Sequence, residues 1–232
     1  VDLHHWHRLK FDALKPDFGL PRLLVAEALG AYVLVLASAG PTSSFGTLAA
    51  ATVGPAQALA PGLALLVLVL LFGLPGLGGF NPAVTLGLVL GGRLAPSRLL
   101  PSWLAQFGGA LAAGFTLRLL LRSSLLGITN THMPGLAALA LEALLTAWLV
   151  WVFLASTERE VPLLHAALAV AATLSMAIFW AAPLSGASMN PARSLGPALA
   201  AGDLSDLWIY LLGPFLGAVL GAKAYLWYRR LA

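Results

Sequence analysis

Two tripeptides, Asn81-Pro82-Ala83 and Asn190-Pro191-Ala192, stand out in a chain whose remaining sequence is mostly apolar. Asparagine is a good helix N-cap, and proline suits the first helical turn because its missing N–H would go unsatisfied there anyway. Each tripeptide therefore predicts the start of a short helix, running to about Leu90 and Leu199. The glycines that precede them (Gly76, Gly78 and Gly79; Gly186) suit a tight non-helical approach. Two such half-helices entering from opposite sides would meet with their positive N-terminal ends facing each other. Three charged groups accompany the pair: Glu27 and Glu142, acids inside otherwise apolar stretches, and Arg193, which directly follows the second tripeptide. Bond-making chemistry has no equipment here. There are no cysteines, no metal-ligand spacing, no activated nucleophile and no phosphate-binding loop, so an enzyme is not expected and neither is a cofactor. His4, His5 and His7 fall in a polar terminal stretch and read as a solvated segment at a membrane surface.

The elements that must position these residues are membrane spans. Residues are 59% hydrophobic and only 9% charged, with a mean hydropathy of +0.89, whereas soluble domains are nearer a quarter charged. No acid or base occurs from Ala28 to Gly92, and further uncharged runs follow. At about 20 apolar residues per crossing, spans are expected at 23–39, 57–74, 98–121, 136–154, 163–181 and 206–227. Residues 1–22 are polar and basic, form the N-terminal segment, and do not read as a cleavable signal peptide. The pI near 9.9 does not imply nucleic acid, because the basic residues gather at loop ends. Arg8, Lys10, Lys15, Arg22, Arg93, Arg98, Arg159, Lys223, Arg229 and Arg230 share one side if both termini are cytoplasmic, leaving Arg118 and Arg122 outside. Trp103, Trp148, Trp151, Trp180, Trp208 and Trp227 are expected near span ends or on lipid faces.

The chain also repeats. Ala26-Glu27-Ala28-Leu29 is answered by Leu141-Glu142-Ala143-Leu144, and Gln106-Phe107-Gly108-Gly109-Ala110 by Pro214-Phe215-Leu216-Gly217-Ala218. Each half, 23–121 and 136–228, holds three spans and one Asn-Pro-Ala loop within a single domain, 23–228. Three is odd, so the second half enters from the opposite side, and the site is expected near the midplane between the halves. The fold class is thus an all-α membrane protein of six spans plus two re-entrant half-helices. Irregular backbone at that depth needs burial in protein or a water-filled path. Small residues four apart (Gly109 and Ala113; Gly217 and Gly221) suit close helix crossings.

Asn81-Pro82-Ala83-Val84-Thr85 and Ser185-Gly186-Ala187-Ser188-Met189-Asn190-Pro191-Ala192-Arg193-Ser194 resemble the paired signature loops of the aquaporins, or major intrinsic proteins, and the likeness covers about residues 23–228. The resemblance implies that Asn81 and Asn190 donate hydrogen bonds to solutes in single file, while opposed half-helix dipoles repel cations and protons. It implies that Glu27 and Glu142 brace the two loops, that Arg193 sits in an outer filter, and that the protein is a homotetramer with one pore per subunit. By the same alignment Pro61, Ile178 and Ala187 complete the filter. Water-selective members carry a histidine at the Ile178 position and a bulky aromatic at the Pro61 position. The choices here resemble the nodulin-type branch, so glycerol, urea or metalloid acids are expected beside water. Family loops usually read Ser-Gly-Ala-His before the first asparagine, where this chain has Gly76-Leu77-Gly78-Gly79-Phe80. Compact loops and short tails suggest a bacterial cell membrane. Two rival readings remain open at this point: a coupled transporter using Glu27 and Glu142, and a non-conducting scaffold.

Overall fold

A computed structural model describes residues 19–45, 54–73, 79–121, 126–158 and 160–231. Gly78, most of the 1–22 segment with its histidines, Arg122 and Arg159 lie outside the described residues. The first half supplies α1 (Leu20–Phe45), α2 (Pro55–Phe72), the short α3 (Pro82–Leu90) and α4 (Leu99–Leu121). The second supplies α5 (Gly135–Ser156), α6 (Leu163–Ser185), the short α7 (Pro191–Ala201) and α8 (Leu207–Tyr228). No strand occurs among the described residues. Five helices are long and apolar enough to cross a membrane. The remaining expected span, α2, has 18 residues and so a length of about 27 Å at 1.5 Å per residue, close to the hydrocarbon thickness.

α1 runs through Pro41, beyond the limit of 39 expected from sequence. One proline removes one backbone donor, and in a span no water competes for the rest of the ladder. α6 and α8 likewise contain Pro183 and Pro214.

Helix pairs correspond across the two halves: α1 packs on α4 as α5 packs on α8, α4 on α7 as α8 on α3, and α1 on α2 as α5 on α6. α2 meets α6, and α3 meets α7, between the halves. In a bilayer such packing rests on van der Waals contact and hydrogen bonds, which favours small residues at the crossings. A Cβ at Gly109 would lie 2.0 Å from the Ala28 carbonyl oxygen, and one at Gly217 would lie 2.3 Å from that of Ala143. Outward faces remain apolar: Val67, Leu71, Leu119, Leu136, Leu164 and Phe179 are among the large exposed side chains.

Two expectations about side chains on span faces need correction or extension. Trp103 is not simply a lipid-facing anchor, because its indole Nε1 donates to the Pro82 carbonyl (2.9 Å) and so ties α4 to the start of α3. Trp151 packs edge-on against Tyr225 and also meets Tyr228. Arg118, read as a marker of an outer loop, also donates to the Ala200 carbonyl in the last turn of α7, where a cation complements the helix dipole.

Candidate constriction between the half-helices

Asn81 and Asn190 are the N-caps of α3 and α7, both in extended backbone conformation. The Asn81 Oδ1 accepts from Ala83 N (2.9 Å) and Val84 N (3.4 Å), and the Asn190 Oδ1 from Ala192 N (3.0 Å) and Arg193 N (3.2 Å). With the oxygen committed to its own helix, each amide nitrogen turns across the midplane. Asn81 Nδ2 donates to the Met189 carbonyl (2.8 Å), and Asn190 Nδ2 to the Phe80 carbonyl (3.3 Å). A side-chain amide nitrogen carries two hydrogens. One is spent on this crossed bond, which leaves one more on each amide.

The residues before the asparagines make the crossing work. Phe80 (φ +60°) and Met189 (φ +53°) adopt the left-handed conformation, which is uncommon for side chains of this size. In that turn each offers its carbonyl to the asparagine of the other half and its N–H to the glutamate of its own half. Phe80 N donates to Glu27 Oε2 (2.9 Å), and Met189 N to Glu142 Oε2 (2.8 Å). Both carboxylates are fully buried. Glu27 also accepts from Gln106 Nε2 (2.7 Å), which donates in addition to Thr85 Oγ1 (2.8 Å), and that hydroxyl donates to the Asn81 carbonyl (2.9 Å). In the second half proline replaces the glutamine, and serines take over. Glu142 Oε1 accepts from Ser185 Oγ (2.9 Å) and Ser188 N (2.9 Å), while Tyr210 donates to the Ser185 carbonyl (2.7 Å).

A narrow cavity of about 30 Å³ runs beside the paired asparagines, room for about two waters. Its lining combines polar side chains (Asn81, Asn190, Ser188 and Arg193) and the small residues Gly79 and Ala187 with apolar ones that include Leu65, Leu149, Phe153, Leu174 and Ile178. Of the filter residues expected from sequence, Ile178, Ala187 and Arg193 meet here. Pro61 does not line this cavity: it is buried in α2, and Leu65, one turn further along, takes the lining position. Gly186 closes α6 in left-handed conformation (φ +90°) and is not among the residues that line this cavity. Sequence reasoning also passed over Ser38 and Phe153, although both lie eleven residues after a brace glutamate, on α1 and α5. That shared spacing within the repeat was the available signal.

Comparison with known proteins follows the same outline. The family model described as major intrinsic protein matches residues 16–225, nearly the whole chain. The chain belongs to this family. Among relatives of this major intrinsic protein, aquaporin NIP1-1 of Zea mays is 40% identical over 212 residues, covering 87% of this chain and 73% of the relative. Nodulin-26 of Glycine max is 37% identical over 206 residues, covering 87% and 76%. The X-ray structure of the aquaglyceroporin from Plasmodium falciparum superposes with a TM-score of 0.75 at 23% identity, covering 89% of this chain and 96% of that one. At that identity the likeness speaks for the fold.

Proposed function

We propose that this major intrinsic protein is a passive multi-pass membrane channel for water and small uncharged solutes that excludes ions and protons. The observation that carries this reading is the crossed asparagine pair. Two helix N-caps, each with an amide hydrogen to spare, line one narrow cavity from opposite directions, together with apolar side chains. A neutral molecule with an oxygen acceptor gains hydrogen bonds there. A cation meets two positive dipole ends and the Arg193 guanidinium. The names of the NIP relatives as aquaporins support water as a permeant.

The solute range follows from the lining. Ala187 is small and the apolar Ile178 side chain brings no donor, so glycerol, urea and uncharged metalloid acids fit this reading beside water. A homotetramer in the cell membrane with both termini cytoplasmic completes the proposal, supported by the broad apolar outer faces and the one-sided basic residues. Against a transporter coupled through Glu27 and Glu142, neither carboxylate lines the cavity, and each is engaged by donors of the adjoining loop.

Stopped-flow light scattering on proteoliposomes tests the proposal. Osmotic shrinkage in sucrose is expected to exceed that of empty liposomes, and re-swelling in glycerol and urea is expected to be accelerated as well. Replacing Ile178 with phenylalanine is expected to bring the glycerol rate back to that of empty liposomes while fast water flow persists. Fast shrinkage with no accelerated re-swelling in the wild type would leave a strictly water-selective pore.

A further inference from the structure

The connection between α4 and α5 has no part in the paired motifs, yet it reaches the constriction. From Leu126 onward it lies against the second half at several points. Leu126 is fully buried, His132 N donates to the Leu184 carbonyl (3.1 Å), and Thr131 N donates to Asp206 Oδ2 (3.2 Å). Between them Thr129, only 5% exposed, is pressed so close to the α6 cap that a Cβ at Gly186 would stand 2.5 Å from its methyl group. The Thr129 hydroxyl accepts a hydrogen bond from Arg193 Nη1.

That bond is the first link of a chain of hydroxyls. Thr129 Oγ1 and Ser194 Oγ are 2.8 Å apart, Ser194 Oγ and Ser188 Oγ 2.6 Å, and Ser188 Oγ donates to the Asn190 carbonyl (3.0 Å). The carbonyl end fixes the sense of every proton along the chain. The Asn190 carbonyl can only accept, so Ser188 spends its one hydrogen there and must accept from Ser194. Ser194 has then spent its own hydrogen and must accept from Thr129, which keeps a lone pair for the Arg193 guanidinium. All three hydroxyl residues are buried, where aligned hydrogen bonds polarise one another. Arg193 itself occupies the first turn of α7, where the helix dipole repels a cation. Among the described residues, Thr129 is the side chain that accepts a hydrogen bond from its guanidinium.

We infer that Thr129 is a positioning residue for solute selectivity: through the Thr129–Ser194–Ser188 chain it holds the Arg193 guanidinium against the wall and keeps the lumen open to solutes larger than water. The inference rests on the channel reading above. Without the anchor, the guanidinium finds its acceptors among molecules in the lumen and swings inward, which obstructs glycerol more than water.

The test is the ratio of glycerol to water permeability in proteoliposomes holding equal amounts of protein. Thr129→Val keeps the side-chain shape and removes the hydroxyl, and is expected to lower the ratio about tenfold, the scale set by losing one charge-assisted hydrogen bond. Thr129→Ser is expected to restore the wild-type ratio, which a purely space-filling role for the methyl group would not do. Ser194→Ala breaks the chain one link further on and is expected to lower the ratio by less. A Thr129→Val ratio equal to wild type overturns the inference while leaving the channel intact. Should Thr129→Val fail to fold, Ser194→Ala at the wild-type ratio overturns it equally. A wild-type protein no faster than empty liposomes toward either molecule overturns the channel reading, and this inference with it.

Discussion

Replacing Glu142 with leucine is expected to reduce water permeability to that of empty liposomes and to lower the unfolding temperature of the detergent-extracted protein sharply. The carboxylate accepts from the Ser185 hydroxyl and from the backbone N–H groups of Ser188 and Met189. Leucine would strand all three donors in a site closed to water. At about 1–3 kcal/mol for each unsatisfied donor, the loss is on the order of 5 kcal/mol, a large part of the 5–15 kcal/mol that holds a typical domain together. The damage is local to the constriction, because Met189 then has no reason to hold its left-handed turn, and its carbonyl is what Asn81 grips. Glutamine is expected to be intermediate. It keeps one accepting oxygen but sets an NH₂ group against donors on the other side. Wild-type permeability and stability in Glu142→Leu would remove the brace assignment.

Two adjacent glycines on α4 make the second large prediction, with its own control. Gly109→Ala places a methyl group where the Ala28 carbonyl oxygen already stands, 2.0 Å from the new carbon. That neighbour is backbone, so α1 as a whole would have to retreat, and Glu27 would go with it, away from Phe80 and Gln106. Gly109→Ala is expected to yield little folded protein, or protein that melts well below wild type and conducts poorly. Gly108→Ala meets nothing within 4 Å and is expected to leave conductance unchanged while gaining about 0.5–1 kcal/mol from helix propensity. Thermal unfolding of the two variants in the same detergent decides the matter. Equal midpoints would mean that α1 and α4 are not in close contact at this crossing.

Much of this architecture is legible from residue types alone, because membrane spans and helix starts are governed by local rules. Asn81-Pro82 and Asn190-Pro191 mark the first residues of α3 and α7 through capping chemistry that needs no tertiary information. Glu27 and Glu142 announce themselves because an acid in an apolar run is costly, but it is the family resemblance, not the pattern itself, that assigns each to the loop it braces. The lateral details are different. Pro61 and Leu65 differ by one turn of α2, and ungapped counting from a motif across residues 74–78 does not fix which of them faces inward. Thr129 was invisible for another reason. A threonine in a polar connection is ordinary, and its partner Arg193 lies 64 residues away, brought near only by the packing of α4 on α7. Trp103 shows the converse problem: an aromatic near a span end fits lipid anchoring by type, while its N–H found the Pro82 carbonyl.

The crossed amides bear on how the protein is made. Asn81 is seated by a carbonyl that belongs to Met189, and Asn190 by one that belongs to Phe80. During synthesis the first three spans and α3 enter the bilayer more than sixty residues before Met189 is translated. Until then the start of α3 has its glutamate but not its counterpart, and the amide of Asn81 must find temporary acceptors. The midplane therefore closes only once most of the second half has been made, with two crossed bonds to form rather than one. An N-terminal half released alone would insert without maturing, and the two halves supplied as separate polypeptides should each protect the other from membrane proteolysis.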